Sequence, residues 1–125
     1  MKRALLVTHG NLGAELLRTA ELIVGPQKGA SVLSNRELSS ESLSDAVQTE
    51  LATYGGDETV IFVDVAGGSC LCACRATEEQ TGRVKVVSGV NLPMVLEFFH
   101  YRDRLPFDEL VERVAAKGRG GIQTL

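Results

Sequence analysis

Short apolar runs alternate along the chain with stretches in which apolar residues return every three or four positions. Ala4–Val7 is a continuous apolar run, the pattern of a strand buried on both faces. After the turn Thr8-His9-Gly10, the residues Leu12, Leu16, Ala20, Ile23 and Val24 share a helical face that Glu15, Arg18 and Glu21 avoid. Asn11 is placed to cap this helix, and Gly25-Pro26 stops it. Ala30–Leu38 alternates loosely, as a more exposed second strand does. Ser39-Ser40-Glu41 opens a helix running to about Tyr54, which Gly55-Gly56-Asp57 closes. The β-branched run Thr59–Asp64 is a third strand. Ala66-Gly67-Gly68-Ser69 turns into a helix over Cys70–Thr81, and Val84–Ser88 is a fourth strand. Gly89-Val90-Asn91 leads to a helix over Leu92–Tyr101, with Pro93 suited to its first turn. Phe107-Asp108-Glu109-Leu110 begins a last helix ending near Gly118, and the tail Gly120–Leu125 reads as a short edge strand.

The order βαβαβαβα with short connections predicts an α/β fold with a mainly parallel four-stranded sheet and helices on both faces. With strand order 2-1-3-4, the chain reverses its direction across the sheet between strands 1 and 3. Ligands in such folds bind outside the carboxyl ends of the strands at that reversal. His9 follows strand 1 and Asp64 ends strand 3, so this topology brings the two into one crevice.

Composition narrows the classes. The 125 residues contain no repeat, low-complexity stretch or linker, which predicts one domain over residues 1–125. Apolar residues make up 44% and charged residues 23%, with a net charge of −3 and no basic block, so no nucleic-acid footprint is present. No apolar run has the length of a membrane span. Met1-Lys2-Arg3-Ala4-Leu5-Leu6-Val7 starts like a signal peptide, but the run stops at Thr8-His9-Gly10 with no cleavage site after it, so the reading is cytoplasmic. Cys70, Cys72 and Cys74 cannot frame a disulfide scaffold. On a helix Cys72 points away from the other two, so packing is favoured over metal binding, and no metal or organic cofactor is expected. Cys70, at a helix N-terminus, is expected to have a lowered thiol pKa and some sensitivity to oxidation.

A histidine that carries phosphate needs one ring nitrogen free to attack phosphorus, the other held as N–H by an acceptor, and donors nearby for the phosphate oxygens. Asp64 has the chemistry of the acceptor for His9. Ser69 and the backbone around Gly67 and Gly68, at the start of the third helix, have that of an anion site. Thr8 and Gly10 flank the histidine in the same pocket. Spacing alone leaves other readings open: His9 as a surface residue, Asp64 as a turn cap, Gly67-Gly68 as a tight turn matching no nucleotide fingerprint. His100, among Phe98, Phe99 and Tyr101, reads as structural or exposed.

Val7-Thr8-His9-Gly10 followed by Leu16-Leu17-Arg18-Thr19-Ala20-Glu21 resembles the start of the mannose-family enzyme IIA domain of the bacterial sugar phosphotransferase system. Asp64-Val65-Ala66-Gly67-Gly68-Ser69 resembles that family's D-x-x-G-G-S turn, Gly89-Val90-Asn91-Leu92-Pro93-Met94 its G-V-N-[IL]-P-M segment, and Phe107-Asp108-Glu109-Leu110 its final helix. The resemblance implies that His9 is the phosphorylated residue, Asp64 its orienter and Ser69 a phosphate contact. It implies the phosphocarrier HPr as donor and an enzyme IIB protein as acceptor, with the membrane reached only through a permease. It further implies a homodimer exchanging a C-terminal strand, here Gly121–Leu125. Related sequences often carry Thr-Trp after the aspartate and proline after the serine, where this chain has Val65-Ala66 and Cys70. With no linker to a IIB domain after the last helix, IIB is expected to be a separate protein or to be absent. An alternative role is a regulatory phosphoacceptor without sugar transport, and a more distant one is the related phosphocarrier that feeds dihydroxyacetone kinase.

Overall fold

The computed structural model describes residues 1–36 and 38–125, without the side chains at positions 76 and 78–81. The elements in chain order are β1 (Arg3–Thr8), α1 (Leu12–Val24), β2 (Ala30–Ser34), α2 (Ser40–Thr53), β3 (Thr59–Val63), α3 (Ser69–Thr81), β4 (Val84–Ser88), α4 (Leu92–Tyr101) and α5 (Phe107–Gly120). The four strands are all parallel in the order β2-β1-β3-β4. This is the α/β architecture that the sequence predicts. Among the described residues no helix is long and apolar enough to cross a membrane.

Side chains alternate across a sheet, and the two central strands feed two cores. Ala4, Leu6, Val60 and Phe62 face α1, α4 and α5, where they meet Ala20, Val95, Phe98, Leu110 and Val114. Leu5, Val7, Ile61 and Val63 face the other way, onto Leu43 and Val47 of α2 and Cys70 and Cys74 of α3. Right-handed crossovers explain the division. The step from β1 to β2 runs one way and the later steps run back, so α1 lies on one face and α2 and α3 on the other. Each fully buried Leu, Ile, Val or Phe contributes about 1.5–3 kcal/mol, so both faces of β1 and β3 are fixed firmly.

Several local details differ from the sequence reading. The inner face of α1 is Gly13, Leu16, Leu17 and Ala20, while Leu12 and Ile23 are exposed at 46% and 59%. The cause is close packing at Gly13: a Cβ there would lie 2.8 Å from Thr8 Oγ1 and 3.3 Å from Leu6 Cβ. Asn11 holds the N-cap position without a side-chain hydrogen bond. The buried Thr8 hydroxyl supplies one instead, accepting from Gly13 N–H at 2.7 Å. Ser39 caps α2 by accepting from Ser42 N–H, and Asn91 caps α4 by accepting from Met94 N–H.

Strand β2 ends at Ser34, with Asn35 N–H donating to Thr8 O at 3.1 Å as the last rung of its ladder with β1; Glu37, within the predicted strand, lies outside the described residues. Helix α5 runs past Gly118 to Gly120. Asn91 Nδ2–H donates to Gly118 O at 3.0 Å, and a Cβ at Gly118 would meet Met94 at 2.6 Å, so the helix end is seated on α4. The tail after Gly120 is not a strand in the single chain: it pairs with no described strand, and Ile122 and Leu125 are exposed.

Candidate functional site

The carboxyl ends of β1 and β3 lie side by side, with Val7 paired to Val63 in register. The residues just beyond those ends therefore meet. His9 N–H donates to Asp64 Oδ2 at 2.9 Å, and the ring Nδ1 lies 2.9 and 3.1 Å from the two carboxylate oxygens. Val65 N–H donates to Asp64 Oδ1 at 3.0 Å. The carboxylate is 9% exposed and the histidine side chain 43%. Burial pushes the Asp64 carboxyl upward, but the His9 backbone and ring hydrogen bonds, the ring's charge and Val65 N–H outweigh it and hold it below the ordinary carboxylate value.

An ionised carboxylate only accepts, so the hydrogen between Asp64 and the ring sits on Nδ1. In the neutral imidazole Nε2 is then unprotonated. Gly68 lies beside that nitrogen: a Cβ on Gly68 would be 3.7 Å from His9 Nε2 and Cε1. With φ at +122° and ψ at −178°, Gly68 occupies backbone space essentially reserved for glycine. It forms the N-cap of α3 with no side-chain cap, and Ser69 is the first helical residue, half-buried. The first N–H groups of a helix have no intrahelical partner and carry the positive end of its dipole, which suits an anion next to Nε2.

The other residues that the sequence singles out fall around this centre. Gly10, at φ +57°, donates its N–H to Asn35 Oδ1 at 3.1 Å. Thr8 is wholly buried, and its hydroxyl oxygen is engaged by Gly13, so it supports the His9 turn from beneath. Gly67, Val65 and Ala66 are exposed at the rim. His100 is exposed on α4 with its ring edge-on to Tyr101 and takes no part. Asn35, which sequence reasoning missed, ties the end of β2 to the His9 loop; its only signal was an Asn, a turn-favouring residue, inside the predicted strand Ala30–Leu38. Cys70 departs from expectation. It is fully buried, and burial, followed by the Asp64 charge, raises its thiol pKa against the opposing Ser69 hydrogen bond. Cys74 is likewise buried and pushed up to about 12, mainly by burial, while Cys72 faces solvent.

A family model described as the fructose IIA component of the phosphotransferase system matches residues 3–115. The chain belongs to that family. Among IIA relatives, the mannose-specific EIIAB component of Escherichia coli K12 is 34% identical over 121 residues, which is 94% of this chain. The chain spans only 38% of that protein's length. The crystal structure of the EIIA component from Streptococcus agalactiae superposes with a TM-score of 0.91 at 28% identity, covering 99% of this chain and 97% of its own. The mannose/sorbose-specific IIA subunit from Enterococcus faecalis has the same fold, with a TM-score of 0.88 at 23% identity, covering 100% and 96%. This IIA chain thus has the parallel 2-1-3-4 sheet of its structural relatives.

Proposed function

We propose that residues 1–125 act as a IIA phosphocarrier in the cytoplasm, taking a phosphoryl group from phospho-HPr onto His9 Nε2 and passing it to an enzyme IIB protein. The observation that carries this reading is the Nδ1–Asp64 hydrogen bond, which leaves Nε2 as the free nucleophilic nitrogen beside a helix N-terminus. The Nε2 lone pair forms the new P–N bond as the bond to the donor's histidine breaks, and the donor ring leaves with that electron pair. Asp64 neutralises the positive charge that the His9 ring acquires, and the Nδ1 proton stays in place. The N–H groups around Gly67 and Gly68, together with Ser69, receive the phosphate oxygens. Thr8 and Gly10 hold the His9 turn. Catalysis is by positioning and charge stabilisation, without metal or cofactor. Passing the group to IIB is the same step with the His9 ring as leaving group.

Incubation with enzyme I, HPr and phosphoenolpyruvate, followed by intact mass, tests the proposal. One acid-labile phosphoryl adduct is expected, absent from His9→Ala. No adduct, or an adduct that survives His9→Ala, defeats it.

The chain is also proposed to form a homodimer by laying residues 121–125 on the partner's β4. In support, β4 is a sheet edge, and a cleft of about 480 Å³ beside it is lined by Val86, Ser88, Met94, Val111 and Ile122. Light scattering on a chain truncated after Gly120 is expected to show a monomer; a dimer would defeat the exchange.

A further inference from the structure

Phosphoryl transfer makes no use of the Cys70 thiol. Yet Cys70 Sγ lies 3.8 Å from His9 Nδ1, the same nitrogen that Asp64 holds at 2.9 Å. One ligand atom each from His9, Asp64 and Cys70 falls within 4.8 Å of the others. The three come from three places in the chain: the turn after β1, the end of β3 and the first turn of α3. The C-x-C-x-C spacing gives no hint of this grouping, because only one of its cysteines belongs to it.

We propose that His9, Asp64 and Cys70 form a three-ligand site for Zn²⁺, open to solvent at a fourth position, and that an occupied site cannot accept phosphate. An imidazole nitrogen, a carboxylate oxygen and a sulfur are the donor set of zinc. With bonds of about 2.0–2.3 Å in a tetrahedron, the ligand atoms around one ion lie about 3.2–3.7 Å apart. The His9–Asp64 separations of 2.9–3.1 Å and the His9–Cys70 separation of 3.8 Å lie a few tenths of an ångström to either side, while Asp64 and Cys70, within 4.8 Å of each other, draw together around the ion. Full burial of Cys70 and the backbone bonds on Asp64 hold two ligands in place, while the half-exposed His9 leaves a path for the ion.

Binding forms Zn–N, Zn–O and Zn–S bonds and releases the thiol proton to solvent. The ring stays neutral: Nδ1 gives up its hydrogen to coordination and Nε2 carries one, exchanged through solvent. A protonated Nε2 has no lone pair for phosphorus. The site itself is independent of the proposed function; the block rests on His9 being the phosphoacceptor.

The test titrates Co²⁺ into the full, reduced chain, follows the near-ultraviolet thiolate-to-cobalt charge-transfer band, and then displaces cobalt with Zn²⁺. One ion per chain is expected in the wild type and in Cys72→Ala. In Cys70→Ala the band is expected to vanish and affinity to fall by at least about tenfold, with Cys70→Ser as a second variant to guard against misfolding. Zinc is expected to stop adduct formation in the wild type and to leave that of Cys70→Ala unchanged. No stoichiometric binding by the wild type, or a band that persists in both Cys70 variants, overturns the site. A zinc-loaded wild type that is phosphorylated at the metal-free rate overturns the block. A metal-free wild type that is never phosphorylated overturns the reading of His9 and the block with it, while the titration still decides the site.

Discussion

Replacing Asp64 by asparagine keeps the shape of the side chain and removes its charge. Asp64 accepts from His9 N–H at 2.9 Å, from the ring Nδ1–H at 2.9 and 3.1 Å, and from Val65 N–H at 3.0 Å. A hydrogen bond to a charged group contributes about 1.5–3 kcal/mol, against about 0.5–1.5 for a neutral pair. Two of these bonds hold His9, so loss of charge alone removes about 2–3 kcal/mol, or about 10²-fold in rate if it is felt fully in the transition state. Geometry adds to this. His9 N–H lies on Oδ2 and Val65 N–H on Oδ1, so in either orientation the carboxamide NH₂ replaces one oxygen and faces a donor. An NH₂ turned toward the ring would donate to Nδ1 and leave the hydrogen on Nε2, the wrong tautomer for attack. In Ser-His-Asp hydrolases that same tautomer error lowers turnover by about 10⁴. Asp64→Asn is therefore expected to slow phosphorylation of His9 by about 10²- to 10⁴-fold. Single-turnover transfer from phospho-HPr followed by intact mass gives the rate, and long-range ¹H–¹⁵N correlation of the imidazole gives the tautomer. An unchanged rate with an unchanged tautomer would refute the orienting role.

Three other outcomes follow from the same contacts. Gly68→Ala is expected to lose about 1–3 kcal/mol to backbone strain in urea unfolding, and to slow phosphorylation as well, because the methyl would lie 3.7 Å from Nε2; a wild-type transfer rate would show that Gly68 does not shape the phosphate position. Thr8→Val leaves the buried Gly13 N–H without its acceptor and is expected to cost about 1–3 kcal/mol of stability; a midpoint equal to the wild type would defeat the capping role. Because the folded Asp64 carboxyl lies below its ordinary value, its stabilisation is complete above the ordinary range of about 4 and is lost as pH falls through the folded value. The stability gap between wild type and Asp64→Asn is therefore expected to close as pH falls below about 4; a gap that is unchanged there would mean that the charge is not what holds the turn.

The elements most legible in sequence were those with local signals. Val84–Ser88 matches a β-branched run, and the start of Leu92–Tyr101 is marked by the Gly89-Val90-Asn91 turn and Pro93. The crevice was legible once the 2-1-3-4 order was assumed, since βα alternation gives the parallel sheet and that order brings His9 to Asp64. The missed features depend on contacts that no local pattern encodes. The α1 face was assigned to Leu12 and Ile23 because Gly13 carries no side chain to count, although its bareness is what lets the helix settle on Thr8 and Leu6. Asn35 was passed over because its partner, Gly10, lies 25 residues away. Cys70 was read from the helix dipole alone, whereas its burial and the nearby Asp64 charge act the other way and prevail.

The departures at 65 and 66 bear on partners more than on chemistry. Where related sequences often carry Thr-Trp, this chain has Val65-Ala66. The contact that position 65 makes with Asp64 is a backbone N–H, at 3.0 Å, and any residue but proline supplies it. The Val65 side chain is instead 50% exposed, and Ala66 is exposed beside it, at the rim of the crevice where the proposed phosphohistidine donor would dock. An aromatic residue there adds contact area to a docking surface, and anchors of that kind act mainly on dissociation. Val65→Thr with Ala66→Trp is thus expected to shift the HPr concentration that gives half-maximal transfer while leaving the saturating single-turnover rate unchanged. A changed saturating rate with unchanged concentration dependence would place these side chains in the chemistry, and the separation between a generic phosphoryl site and a chain-specific rim would fail.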